Sequence, residues 1–145
     1  MSKPSIIGLY NEKRGRYVHL DGIPTEIGRE LASICREYGV EEAMNVLTKK
    51  YTQWFIISSL NCENFLKEDP GRGEVISHYG ITYADDNEGS WYGMEDGKFE
   101  WGYFLENNGD MHIFLYGKEV KVENIYDKYF NSYLEGLYDA TPCFY

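Results

Sequence analysis

Long hydrophobic runs are missing from this 145-residue chain: no apolar stretch approaches the roughly 18–20 residues needed to span a bilayer. The N-terminus, MSKPSIIGLYNEKRGR, holds only a short apolar stretch between basic residues, without a signal-peptide core or cleavage site. A cytoplasmic protein that does not associate with membranes is expected. Cysteine is scarce too. Cys35, Cys62 and Cys143 are odd in number and irregularly spaced, so they read as reduced thiols and not as a disulfide framework. Histidine is limited to His19, His78 and His112, far apart, and no Cys or His pair has zinc spacing, so no metal and no cofactor are expected. There is no G-x-x-x-x-G-K-[ST] loop and no G-x-G-x-x-G opening a helix. Asp85-x-Asn87-x-Gly89 has the start of a calcium loop but Asp96 at its twelfth position, and it reads as a tight polar turn.

Positive charge is the most telling shortage, because it is local. Residues 1–59 carry 8 Lys and Arg against 7 Asp and Glu; residues 60–145 carry 6 against 17. Between Asp85 and Asp110 eight acids face one cation, Lys98. Direct nucleic-acid binding through phosphates requires clustered Lys and Arg and is not expected. The same stretch is rich in aromatics: Trp91, Tyr92, Phe99, Trp101, Tyr103 and Phe104. An acidic surface with aromatic anchors suits a protein with a basic site. Asp85, Asp86, Glu88, Glu95 and Asp96 are the candidates for steering such a partner, with Tyr92 and Phe104 as anchors.

Aromatics make up 17% of the chain, 14 of them Tyr, too many for a disordered acidic tail. One domain spanning residues 1–145 is expected. Ser5–Tyr10 and Arg16–Leu20 read as strands around a polar turn. Two helices, about Thr25–Tyr38 and Val40–Lys50, are predicted to break at Gly39, with Leu31, Ile34, Met44 and Leu47 on their apolar stripes. Trp54–Ile57 is strand or helix. Asp69-Pro70-Gly71 signals a loop. Asp96-Gly97 and Asn108-Gly109 are favoured hairpin turns, and Gly117-Lys118 is a further candidate, so Trp91–Glu123 is predicted to form an antiparallel meander. Phe99, Trp101, Tyr103 and Leu105 alternate onto its core face. Asn124 is placed as the cap of a terminal helix with the stripe Ile125, Tyr129, Phe130, Tyr133, Leu134 and Leu137. The expected fold is therefore α+β: an antiparallel β-meander packed with two N-terminal helices and one C-terminal helix.

The segment Arg16-Tyr17-Val18-His19-Leu20-Asp21-Gly22-Ile23-Pro24, with Gly28 at the head of the next helix, resembles a motif of small phage and prophage proteins: aromatic-x-His-x-Asp-Gly-x-Pro, then a Gly and a helix. Tyr17, His19, Asp21, Gly22, Pro24 and Gly28 carry the match; Leu20 and Ile23 stand where that family carries Trp and an aromatic residue. The resemblance implies a viral or mobile-element origin. It also implies the mode of small acidic phage proteins, which bind and block a host factor such as a defence nuclease. Three functions are weighed. The first is a non-catalytic, counter-defence inhibitor that covers a basic, nucleic-acid-binding site of a host protein. The second is a protein that sequesters a nucleotide signal, with Arg14, Arg16, Arg29 and Arg36 on the phosphates and Tyr rings on the base. The third is a small enzyme in which Asp21 orients His19 as acid or base. Oligomeric state is not legible.

Overall fold

The computed structural model describes residues 3–19, 22–50, 53–54, 57, 75–76, 81–82 and 91–140. The N-terminal hairpin forms from β1 (Ser5–Leu9) and β2 (Arg14–Val18), joined by a short 3-10 turn, Tyr10–Glu12. Lys13 takes a left-handed conformation (φ 57°) to close it. Pro24 then starts a wide π-type turn, Pro24–Gly28, which leads into α1 (Arg29–Tyr38). A proline suits that first position because its missing N–H would have no helical partner there.

Gly39 separates α1 from α2 (Val40–Asn45), which continues as a second π-type turn, Val46–Lys50. Its φ of 89° is a conformation that glycine adopts without Cβ strain, which is why the chain changes direction there. The two predicted helices thus match the structure, with Leu31, Ile34, Met44 and Leu47 all fully buried.

The main sheet runs β3 (Gln53–Trp54), β2, β1, β7 (Trp101–Leu105), β8 (Asp110–Leu115), β9 (Lys118–Asn124). Off this path, β6 (Tyr92–Gly93) pairs with β2, and β4 (Val75–Ile76) with β5 (Ile81–Thr82) forms a separate two-stranded sheet. The sheet is mixed, which corrects the expected purely antiparallel meander. Only β7, β8 and β9 form a meander. β7 lies parallel to β1, Ser5 opposite Trp101 through Leu9 opposite Leu105. The segment expected as the meander's first strand turns away instead, pairing Arg14 with Gly93 and Gly15 with Tyr92. Trp54, left open between helix and strand, lies in a strand parallel to β2.

The turns follow local chemistry. Gly109 (φ 97°) closes the β7–β8 loop, and Asn108 accepts the Asp110 N–H through Oδ1. The β8–β9 loop is Tyr116-Gly117, both left-handed at φ 50° and 78°, one residue earlier than the expected Gly117-Lys118. That is the I′ pattern whose twist matches the flanking strands. The last helix, α3 (Phe130–Ala140), begins later than a cap at Asn124 would place it. Asn124 instead accepts the Tyr126 N–H, and Asp127 accepts the Tyr129 N–H just before the helix. Phe130 and Leu134 are buried, whereas Tyr129 and Tyr133 of the expected stripe are exposed.

The helices cover one face of the sheet. There Ile7, Val18, Trp101, Tyr103, Leu105, Met111 and Ile113 meet Leu31, Ile34, Met44, Leu47 and Leu134 in the main core. Among the described residues, no helix is long and apolar enough to cross a membrane.

Candidate functional site

The other face of the sheet carries a second apolar cluster of Ile6, Met94, Phe99, Phe104 and Phe114, with Tyr10, Tyr17 and Tyr92 packed against it. It exists because three neighbouring strands each present a glycine. A Cβ on Gly8, Gly15 or Gly102 would stand 3.0, 3.2 or 3.0 Å from the Phe104 ring. The ring sinks into this cradle, is fully buried, and meets Phe114 edge-on at 5.5 Å between centroids. Phe104 is thus not a surface anchor, as the sequence suggested. The alternation that put it opposite the core face was read correctly, but this face is also covered. Its cover is the 91–100 segment, held down by the Met94 N–H to the Lys13 carbonyl. Phe99 joins this cluster and not the main core, correcting its expected face, because the chain turns between it and Trp101.

Beside this cover lies an open cleft of about 600 Å³. Met94 and Phe114 line it with Tyr10 and Tyr116, and two cations, Lys13 and Lys118, stand there with two carboxylates, Glu95 and Glu119. His112 borders it, stacked under Tyr10 with ring centroids 3.6 Å apart. The imidazole is clamped at both ends. Nδ1 lies 2.6 Å from Glu119 Oε1, and Nε2 lies 3.1 Å from Glu106 Oε1. Each ring nitrogen thus faces a carboxylate oxygen. The clamp ties the ends of β7 and β9 across β8 and holds two carboxylates beside the cleft.

Glu100 is a second tie. It accepts from Lys3 Nζ (3.2 Å), Trp101 Nε1 (3.0 Å) and Tyr116 Oη (3.1 Å). These bonds raise the pKa of Lys3 and of the Tyr116 phenol, in each case mainly through the hydrogen bond to Glu100. Tyr116 is thereby held at the cleft rim in its left-handed turn, 43% exposed. A larger cleft of about 700 Å³ lies elsewhere, with Glu12, Glu41, Glu42 and Lys49 among its lining. The Lys49 ammonium is bonded to Glu12 and lowers that carboxyl's pKa, so this opening already holds its own cation.

Of the sequence-derived partner-binding residues, Glu95 is exposed at the first cleft, Asp96 accepts the Lys98 N–H, and Tyr92 is half-buried against Tyr17 and Phe99. Asp85, Asp86 and Glu88 lie outside the described residues. Sequence reasoning missed Tyr10, His112, Glu106 and Glu119 as a group. Only the strand register brings them together.

The described residues of the Tyr17–Gly28 motif are bonded or packed within the chain. Tyr17 Oη and His19 Nδ1 are 2.8 Å apart, and the His19 N–H donates to the Trp54 carbonyl. The Gly22 N–H donates to the Lys3 carbonyl, and a Cβ there would stand 2.0 Å from that oxygen. The Gly22 carbonyl accepts from the buried Tyr103 hydroxyl at 2.6 Å, and a Cβ on Gly28 would meet the same Tyr ring at 3.3 Å. Pro24 starts the helical segment. Asp21 lies outside the described residues.

The four arginines considered for phosphates are each engaged within the chain. The guanidinium carbons of Arg14 and Arg16 lie 3.8 and 3.6 Å from the Trp91 ring centroid. Buried Arg16 also donates to the Thr48 carbonyl. Arg29 pairs with Glu135, and Arg36 donates to the Ile125 carbonyl. Among the described residues no group of three His, Cys, Asp or Glu side chains could hold a metal ion. Comparisons with protein-family models, with curated proteins and with solved structures find no match for this chain.

Proposed function

We propose that this protein is a non-catalytic inhibitor of the phage counter-defence kind, which docks the face of its sheet opposite α1 and α2 onto the basic, nucleic-acid-binding site of a host protein in the cytoplasm. The observation that carries this reading is the charge separation along the chain, a net −11 over residues 60–145. At the 600 Å³ cleft, Tyr10 and Tyr116 stand with Glu95 and Glu119, beside Lys13 and Lys118. Carboxylates raise the encounter rate with a basic surface, and aromatic rings supply contact energy once water is expelled. Asp85, Asp86 and Glu88 are part of that excess in the sequence.

The nucleotide-sequestering reading ranks behind it, because Arg14, Arg16, Arg29 and Arg36 are spread over separate intramolecular partners. An enzyme built on His19 has still less support, since Nδ1 of that ring is engaged by Tyr17.

The test is paired capture from bacterial lysate on immobilised wild-type protein and on a Glu95→Lys, Tyr116→Ala double variant with an unchanged circular dichroism spectrum. The expected result is a basic protein retained by the first and lost by the second. Equal retention of every captured protein would remove this face from the proposal.

A further inference from the structure

At the end of the sheet, β9 pairs with β8 on one side, and no described strand pairs with its other side. Its exposed residues include Val120 at 43% and Val122 at 41%. Such an edge is a row of backbone donors and acceptors ready for another strand.

The direction of each group follows from the register. Ile125 donates its N–H to Gly109 across the β8–β9 ladder. In an antiparallel pair, residues two apart point the same way. Glu123 and Lys121 therefore also point toward β8, opposite Met111 and Ile113. Val122 and Asn124 between them turn their N–H and C=O groups outward. Val120 is the residue left over where the register shifts from Ile113–Lys121 to Phe114–Glu119. This bulge limits the straight, open part of the edge to about Val120–Asn124.

The side chains of that stretch match a reversed copy of themselves. Lys121 and Glu123 lie two apart on one face and are bonded to each other at 3.3 Å. When a second β9 is laid antiparallel with Val122 opposite Val122, Lys121 falls opposite the copy's Glu123, and Glu123 opposite the copy's Lys121. Four charges then alternate in sign across the axis. Val122 meets Val122 as the pair that exchanges both backbone hydrogen bonds, and Val120 falls opposite Asn124. Opposite charges directly across a sheet stabilise the pair and like charges destabilise it. The favourable register is thus also the one that the outward backbone groups can bond.

We propose that two copies of this chain dimerise by antiparallel β9–β9 pairing about a twofold axis at Val122. The contact is isologous, so it closes on itself instead of growing into a fibre. It uses the molecular edge beyond β8 and leaves the rim formed by Tyr10 and Glu95 outside the pairing strand.

The test is solution mass by light scattering and sedimentation over a concentration series of the full chain, up to about 0.5 mM, where weak symmetric contacts are populated. Wild-type mass is expected to climb from 16.9 kDa toward twice that value. Lys121→Glu alone, or Glu123→Lys alone, places like charges across the axis and weakens the dimer about tenfold. The double swap Lys121→Glu with Glu123→Lys restores it. Val122→Pro removes an outward N–H that no β8 group uses, and so abolishes the dimer while the circular dichroism spectrum persists. A monomer throughout the series would overturn the proposal. So would a dimer insensitive to either single swap, or one that the double swap fails to restore.

Discussion

Cys35 shows how a buried residue of one chemistry sets a measurable property. Its thiol sits in the main core, and burial pushes its pKa up to about 12. An unfolded cysteine ionises near 8.5. The folded value is the higher one, so the stability linked to this group is fully present below about pH 8.5 and is lost as pH rises toward 12. At pH 10 the loss is about 2 kcal/mol. Unfolding curves from pH 7 to 10 are expected to fall more steeply for wild type than for Cys35→Ala. Equal slopes would mean that the thiol does not ionise on unfolding. Iodoacetamide is expected to leave Cys35 unmodified in the native protein and to label it in urea, read by peptide mass mapping. At the same scale, Gly22→Ala must push apart two backbone segments, because the new Cβ would stand 2.0 Å from the Lys3 oxygen. A cost of about 1–3 kcal/mol in denaturant unfolding is expected, of the size that overpacking produces elsewhere. An unchanged midpoint would show that the 3–22 contact is not formed.

The elements differ in how far the sequence discloses them. α1 and α2 are legible because apolar spacing and a breaking glycine agree. Leu31→Ala, at a fully buried position, is expected to cost about 2–5 kcal/mol by denaturant titration. The turn at Asn108-Gly109 is legible for the same reason: two residues state its conformation. What local signals cannot state is which strand lies next to which. β1 meets β7 across more than ninety residues of chain, and nothing in Ser5–Leu9 names Trp101–Leu105 as its neighbour. The segment around Tyr92 reads as the start of a meander until β2 is seen to take it. The cluster around Phe104 was hidden likewise, because three isolated glycines become a cradle only when Gly8, Gly15 and Gly102 come together. Phe104→Ala empties that cradle and is expected to cost about 3–5 kcal/mol. A loss below about 1 kcal/mol would place the ring on the surface, where the sequence had put it. The cleft residues were the least legible. His112 and Glu119 lie on neighbouring strands and Glu106 just past the end of β7, and their meeting depends on the register.

For the whole molecule, the governing quantity is the separation of charge: near neutrality before residue 60 and a net −11 after it. Such a field acts over about a Debye length, ~8 Å at physiological salt, and so steers a partner before contact. This is the property on which the proposed function turns. The direct measurement is the association rate constant with a captured partner, by stopped flow over a series of salt concentrations. It compares wild type with the Asp85→Lys, Asp86→Lys, Glu88→Lys, Glu95→Lys variant. Wild type is predicted to associate faster at low salt and to slow steeply as salt rises, while the variant associates at least tenfold more slowly and shows a flat salt dependence. Identical rates and slopes for the two proteins would contradict electrostatic docking and reduce the acidic half to a solubility feature.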